Sequence, residues 1–142
     1  MSHIQILQFI GHGTALALVG HALAHAEKNG WQVAVAVVDG YGNTVASARM
    51  DGAHPALSDF AADKAYTSGT QGRTTKDFYA RMSQSPDDAL GLANRARLTV
   101  WEGGVPIRLD GHLIGGIGVS GAKGHEDVAC AEAALLAAGL KG

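Results

Sequence analysis

In the run HALAH, His21 and His25 stand four residues apart, inside an apolar stretch with helical spacing from about His12 to Asn29. On a helix that spacing puts both imidazoles on one side, where they could share a metal ion. A structural zinc takes four protein ligands, and no third donor accompanies the pair, so solvated or interfacial histidines are the plainer reading. The pair lies nearly opposite Leu16, Val19 and Leu23, the stripe expected to face the core.

Lys64 raises a different question. It shares a face with Leu57, Phe60 and Ala61 on a segment with helical spacing, 56 to 68, opened by Pro55. A buried ammonium there needs a partner or a lowered pKa, and Asp39, Asp51 or Glu102 could supply the partner. Alternatively its four-carbon stem runs past the apolar face to water. If the ammonium points inward, an anion site follows. Lys64 and Arg49 would bring charge, Asp51 would lie beside them, and Gly103-Gly104 and Ser120-Gly121 would bring backbone amides. Lys64 and Glu102 are then the candidate acid–base groups.

The run Gly116-Ile117-Gly118-Val119-Ser120-Gly121 fits the template G-x-G-x-x-G. A dinucleotide site needs that turn between a strand and a helix, with a second parallel strand to follow. Here the first glycines fall inside the returning strand of a hairpin, and only a helix fits in what remains. The dinucleotide reading fails. Either the glycines let a helix or a neighbouring chain approach the strand, or Ser120 to Gly124 exposes amides to a carboxylate or phosphate before a helix. The first is favoured.

Other candidates carry less. Cys130, the single cysteine, excludes an intrachain disulfide and a cysteine-based zinc site, and reads as a buried inert thiol. His54 precedes Pro55 and reads as capping or flanking a helix. The net charge of -2 gives no basic footprint for nucleic acid, and Trp31 and Trp101 read as packing residues. No apolar stretch approaches the ~20 residues of a membrane span. Ala24-His25-Ala26 resembles a cleavage site, but glycines and histidines interrupt the preceding apolar run and no Lys or Arg precedes Lys28. A cytoplasmic protein without membrane contact is expected.

The positioning elements follow from spacing. Val33 to Val38 reads as a strand covered on both faces, and Thr44 to Met50 as its hairpin partner across Asp39 to Asn43. Arg73 to Asn94 reads as one or two short helices, and Leu98 to Trp101 as a possible strand. Val105 to Leu109 and His112 to Val119 form a second hairpin around Asp110-Gly111, and Pro106 places its strand at an edge. A last helix runs from about His125 to Ala138, with Val128, Ala131, Leu135 and Ala138 on one face. These elements predict one α+β domain over residues 1–142.

The segments Ala34 to Asp39 with Gly42-Asn43, Arg49 to Ala53 and Asp63-Lys64-Ala65 recur in order in a known family. So do Gly103 to Ile107 and Gly115 to Gly121 followed by Glu126-Asp127. The chain resembles the GlcG/HbpS-like family, also called the haem-degrading or PduO C-terminal-like domain. The resemblance implies a profilin-like three-layer sandwich with a five-stranded antiparallel sheet between helices. It also implies homo-oligomers of tetramer or octamer size, and no shared catalytic motif. Some relatives bind haem or a corrinoid, one type through a helix histidine, so His21 and His25 become candidate ligands. Others sit among catabolic genes. The resemblance therefore implies a tetrapyrrole-binding accessory protein. The alternative is a cofactor-free enzyme for a small carboxylate built on Lys64 and Arg49.

Overall fold

The most apolar stretch of the chain forms the centre of the sheet. In a computed structural model, which describes residues 1–142, Ala34–Asp39 forms strand β1. Ala34 to Val38 are all buried, as a strand covered on both faces requires. β1 lies between β2 (Thr44–Arg49) and β4 (His112–Ser120), and β3 (Gly104–Leu109) pairs with the far side of β4. The order is β2-β1-β4-β3 and every pairing is antiparallel. Pro106 sits on an edge strand, and Asp110 and Gly111 both take positive φ (50° and 79°), as a tight hairpin turn demands.

Five helices complete an α+β fold: α1 (His12–Lys28), α2 (Ala56–Gln71), α3 (Thr75–Met82), α4 (Pro86–Ala93) and α5 (Gly124–Ala137). Side chains alternate along each strand, so the two sheet faces differ. Val35, Val37, Val105, Ile107, Ile117 and Val119 form the main core with α1 and α5. Ala34, Ala36 and Val38 form a thinner layer with Ala61 and Ala65 of α2. That layer is thin because β4 offers only glycines there. A Cβ on Gly118 would run into Ala61 O and stand 2.5 Å from Ala65 N; one on Gly116 would stand 2.5 Å from Gly69 N. The late glycines are thus where α2 touches the sheet backbone, and β4 has an antiparallel neighbour on each side.

Four expectations need correction. The sheet has four strands, not five. Leu98 to Trp101 forms no strand because a side chain takes its backbone: Thr67 Oγ1 on α2 accepts from Thr99 N (3.0 Å) and donates to Arg97 O (3.3 Å). The buried face of α1 is Ala15, Leu18, Val19, Ala22 and Ala26, while Leu16 is 61% exposed. The helix is apolar nearly all round, so spacing alone could not orient it; the alanines face inward because they permit close approach to α5 and the sheet. On α5 the buried set is Asp127, Cys130, Ala131, Ala134 and Leu135, one position round from the expected stripe.

Candidate functional site

Lys64 lies on the third turn of α2, with its side chain 4% exposed. Its Nζ passes the end of β4 and donates to Val119 O (2.9 Å), Ser120 Oγ (3.2 Å) and Asp127 Oδ2 (3.2 Å). An ammonium has three protons, and all three are used. The inward orientation is therefore the one the chain adopts, but the partner is Asp127. Asp39 instead holds its own turn, accepting from Tyr41 N (2.9 Å) and Asn43 N (3.1 Å). Asp51 is exposed, and Glu102 lies 3.9 Å from Lys76 Nζ.

Burial pushes the Lys64 pKa down and the Asp127 pKa up, and in each case the partner's opposite charge resists the shift. Gly103 gives the pair its room. It takes φ 130°, and a Cβ there would meet Val119 O and stand 2.9 Å from Lys64 Nζ.

The amides between β4 and α5 are also used internally. Ala122 N donates to Asp127 Oδ1 (3.0 Å) and Lys123 N to Glu126 Oε1 (3.1 Å), so the chain's own carboxylates cap the helix. At the start of α2, Ala56 N donates to His54 Nδ1 (3.1 Å), which makes His54 a cap as expected. Arg49 is exposed at the end of β2. It pairs with Ala34, which pairs with Ser120, so two strand spacings of about 4.8 Å separate its backbone from Ser120. Arg49 and Asp51 do not converge with Lys64. Lys64, Glu102, Ser120 and Gly121 do, on the wall of an open cleft of about 430 Å³ shared with Leu57 and Trp101. Across Gly121-Ala122 a second cleft of about 410 Å³ is lined by Trp31, Gln32, Ala53 and His54. Gly103 and Gly104 are buried behind this wall, Gly104 N donating to Thr75 Oγ1 (3.1 Å).

Asp127 is the residue sequence reasoning missed. It lies 63 positions from Lys64, and its local signal was that of a helix-start carboxylate. The clue was its spacing, four and seven residues before Ala131 and Ala134 on the buried face of α5.

His21 is exposed, and His25 is half-buried against Trp31, with ring centroids 5.9 Å apart. No hydrogen bond within the chain uses either imidazole, and no group of three or more His, Cys, Asp or Glu side chains converges anywhere. The pair does not suit a bare ion that needs four protein ligands. It suits a metal whose macrocycle already supplies most of its ligands, so that one imidazole suffices from the protein. The donor set fits haem on that ground, and His21 or His25 would be the residue to hold it. Cys130 is buried, and burial, with the charges of Asp127 and Glu126, pushes its thiol up to about 11. A thiol reagent at pH 8 should find no reactive group in the native protein and one per chain after denaturation.

These features define an open antiparallel sheet between helix layers, closed by a buried lysine–aspartate pair and carrying two unbonded histidines on its first helix. The family model for Haem degrading protein HbpS-like matches residues 10–136. The chain belongs to the HbpS-like/GlcG family, which includes the PduO C-terminal-like domain. Protein GlcG of Escherichia coli (strain K12) is 40% identical over 106 residues, 75% of this chain and 77% of that protein. A double mutant of Streptomyces reticuli HbpS superposes with a TM-score of 0.88 at 32% identity, over 96% of this chain and 92% of that one. The PduOC:heme complex superposes with a TM-score of 0.81 at 26% identity, over 92% and 94%. No helix of the chain is long and apolar enough to cross a membrane.

Proposed function

We propose that the chain is an oligomeric tetrapyrrole-binding protein, holding haem or a corrinoid as an accessory to a catabolic pathway. The observation that carries this reading is the unbonded His21–His25 pair on α1, with His25 against Trp31, whose ring also lines the 410 Å³ cleft. A relative of the same fold is known as a complex with haem. Bound haem would supply redox and ligand chemistry at its iron. The chain would contribute the imidazole of His21 or His25, the Trp31 indole beside His25, and an open cleft.

Titrating the ligand-free protein with haemin tests this. A Soret band that sharpens and saturates at one ligand per chain is expected, with His21→Ala or His25→Ala losing it. Equal saturable binding by wild type and both variants, or none by any of them, would overturn the assignment.

The acid–base reading draws on the 430 Å³ cleft, where Lys64 and Glu102 share a wall. Lys64 would have to leave three acceptors to act on a substrate, so the tetrapyrrole reading has the stronger support.

A further inference from the structure

The chain has an unpaired sheet edge and an unattached apolar segment, and their patterns match. At the β3 edge the C-terminal residues close part of the strand, Arg108 N donating to Lys141 O (2.8 Å). β2 is paired on one side only. Met50 N donates to Val33 O (3.0 Å), so strand alternation turns the amides of Ser47 and Arg49 away from β1. Exposed edges are ordinarily guarded by Lys, Pro or a bulge. β2 has neither Lys nor Pro, its one charged residue, Arg49, stands at its last position, and its register shift lies at its first residues. Along this edge the core is unfinished: Val45, Ala48 and Met50 are only partly buried, while Ser47 and Arg49 on the other face are exposed.

Residues 1–8 form no helix or strand, and Ile4 and Ile6 are 74% and 84% exposed. The segment is rooted at Phe9, whose ring meets Tyr41 edge-on (5.0 Å between centroids) at the β1–β2 turn. In an extended strand Ile4 and Ile6 share one face, and His3 and Gln5 the other. Laid beside β2, the isoleucines would continue the partly buried row, and the polar pair would meet Ser47 and Arg49. Eight residues extend about 26 Å, more than the roughly 20 Å of a six-residue strand. The arm also lies outside residues 10–136, the stretch that the family model matches.

We infer that residues 2–8 of one copy add as a strand to the β2 edge of a second copy. In the single chain the arm stays off its own edge with its isoleucines in solvent, whereas reciprocal exchange about a two-fold axis satisfies both edges at once. Burying an isoleucine that is otherwise exposed supplies the drive.

The test compares the full chain with one lacking residues 2–8, with Ile6→Asp and with Ser47→Pro. Association constants come from sedimentation, and amide exchange is read at Ser47 and Arg49. Each change should weaken association at least tenfold, and truncation should speed exchange at both amides by a similar factor. Ser47→Pro could disturb β2 itself; the truncation and Ile6→Asp touch no core residue and keep the test sound. In a mixture of Gln5→Cys chains with Ser47→Cys chains, whose side chains would share one sheet face, a mixed disulfide should form under mild oxidation. Unchanged association together with unchanged exchange after truncation, or no mixed disulfide, overturns the inference.

Discussion

Gly118→Ala should cost about 3 kcal/mol or more, the upper end of what overpacking does to a well-filled interior. The added Cβ would run into Ala61 O and stand 2.5 Å from Ala65 N, both helix backbone, with no flexible side-chain end to yield. α2 would have to back away from β4, loosening Ala34, Ala36, Val38, Ala61 and Ala65 together. A domain of ordinary stability holds only about 5–15 kcal/mol in all, so the unfolding midpoint in urea should drop conspicuously. Gly20→Ala is the control. Gly20 lies on the exposed side of α1 with nothing within 4 Å of a new Cβ, and the change should stabilise the helix by about 0.5–1 kcal/mol. Equal, small effects at the two positions would contradict the close approach of α2.

Lys64→Met should be of similar size, about 3–5 kcal/mol, because it strands Asp127 Oδ2 without a partner while the carboxylate stays buried. Lys64→Met with Asp127→Leu should recover most of that loss, leaving a deficit of about 1 kcal/mol for the lost cap on Ala122 N. The single variant also carries a pH signature. Burial already raises the Asp127 pKa, and removing Lys64 takes away the charge that resists it. A group whose folded pKa lies above its unfolded value of about 3.9 adds stability that is present at acid pH and lost as pH rises. The deficit of Lys64→Met should therefore be smaller near pH 4 than at pH 7. A loss under about 1 kcal/mol, or one independent of pH, would mean the pair is hydrated and weak.

Much of the architecture could be read from local signals. Asp110-Gly111 announced its hairpin, Pro106 its edge, Gly30 the end of α1, and the Val33 to Val38 run the centre of the sheet. Where the signal was side-chain competition across the fold, the reading failed. Leu98 to Trp101 has strand-like residues, yet a threonine hydroxyl 32 positions earlier takes its backbone. The expected α1 stripe holds at Val19 and Leu23 but not at Leu16, because a helix lying close to its neighbours turns Ala15, Ala22 and Ala26 inward beside Leu18. His21 is exposed, on the side of α1 away from Val19 and Leu23.

The residue types and their order determined that this chain takes an α+β fold and that its glycine run is no nucleotide turn, and they left Lys64 two orientations, inward or past the apolar face to water. Those properties come from spacing, turn chemistry and burial, which act within a few residues. Which carboxylate neutralises Lys64, which sheet edge stays open, and that Arg49 stands apart from the cleft were decided by the tertiary structure alone. An ion pair across 63 residues exists only once α2 and α5 close on the end of β4, and no local pattern encodes that meeting.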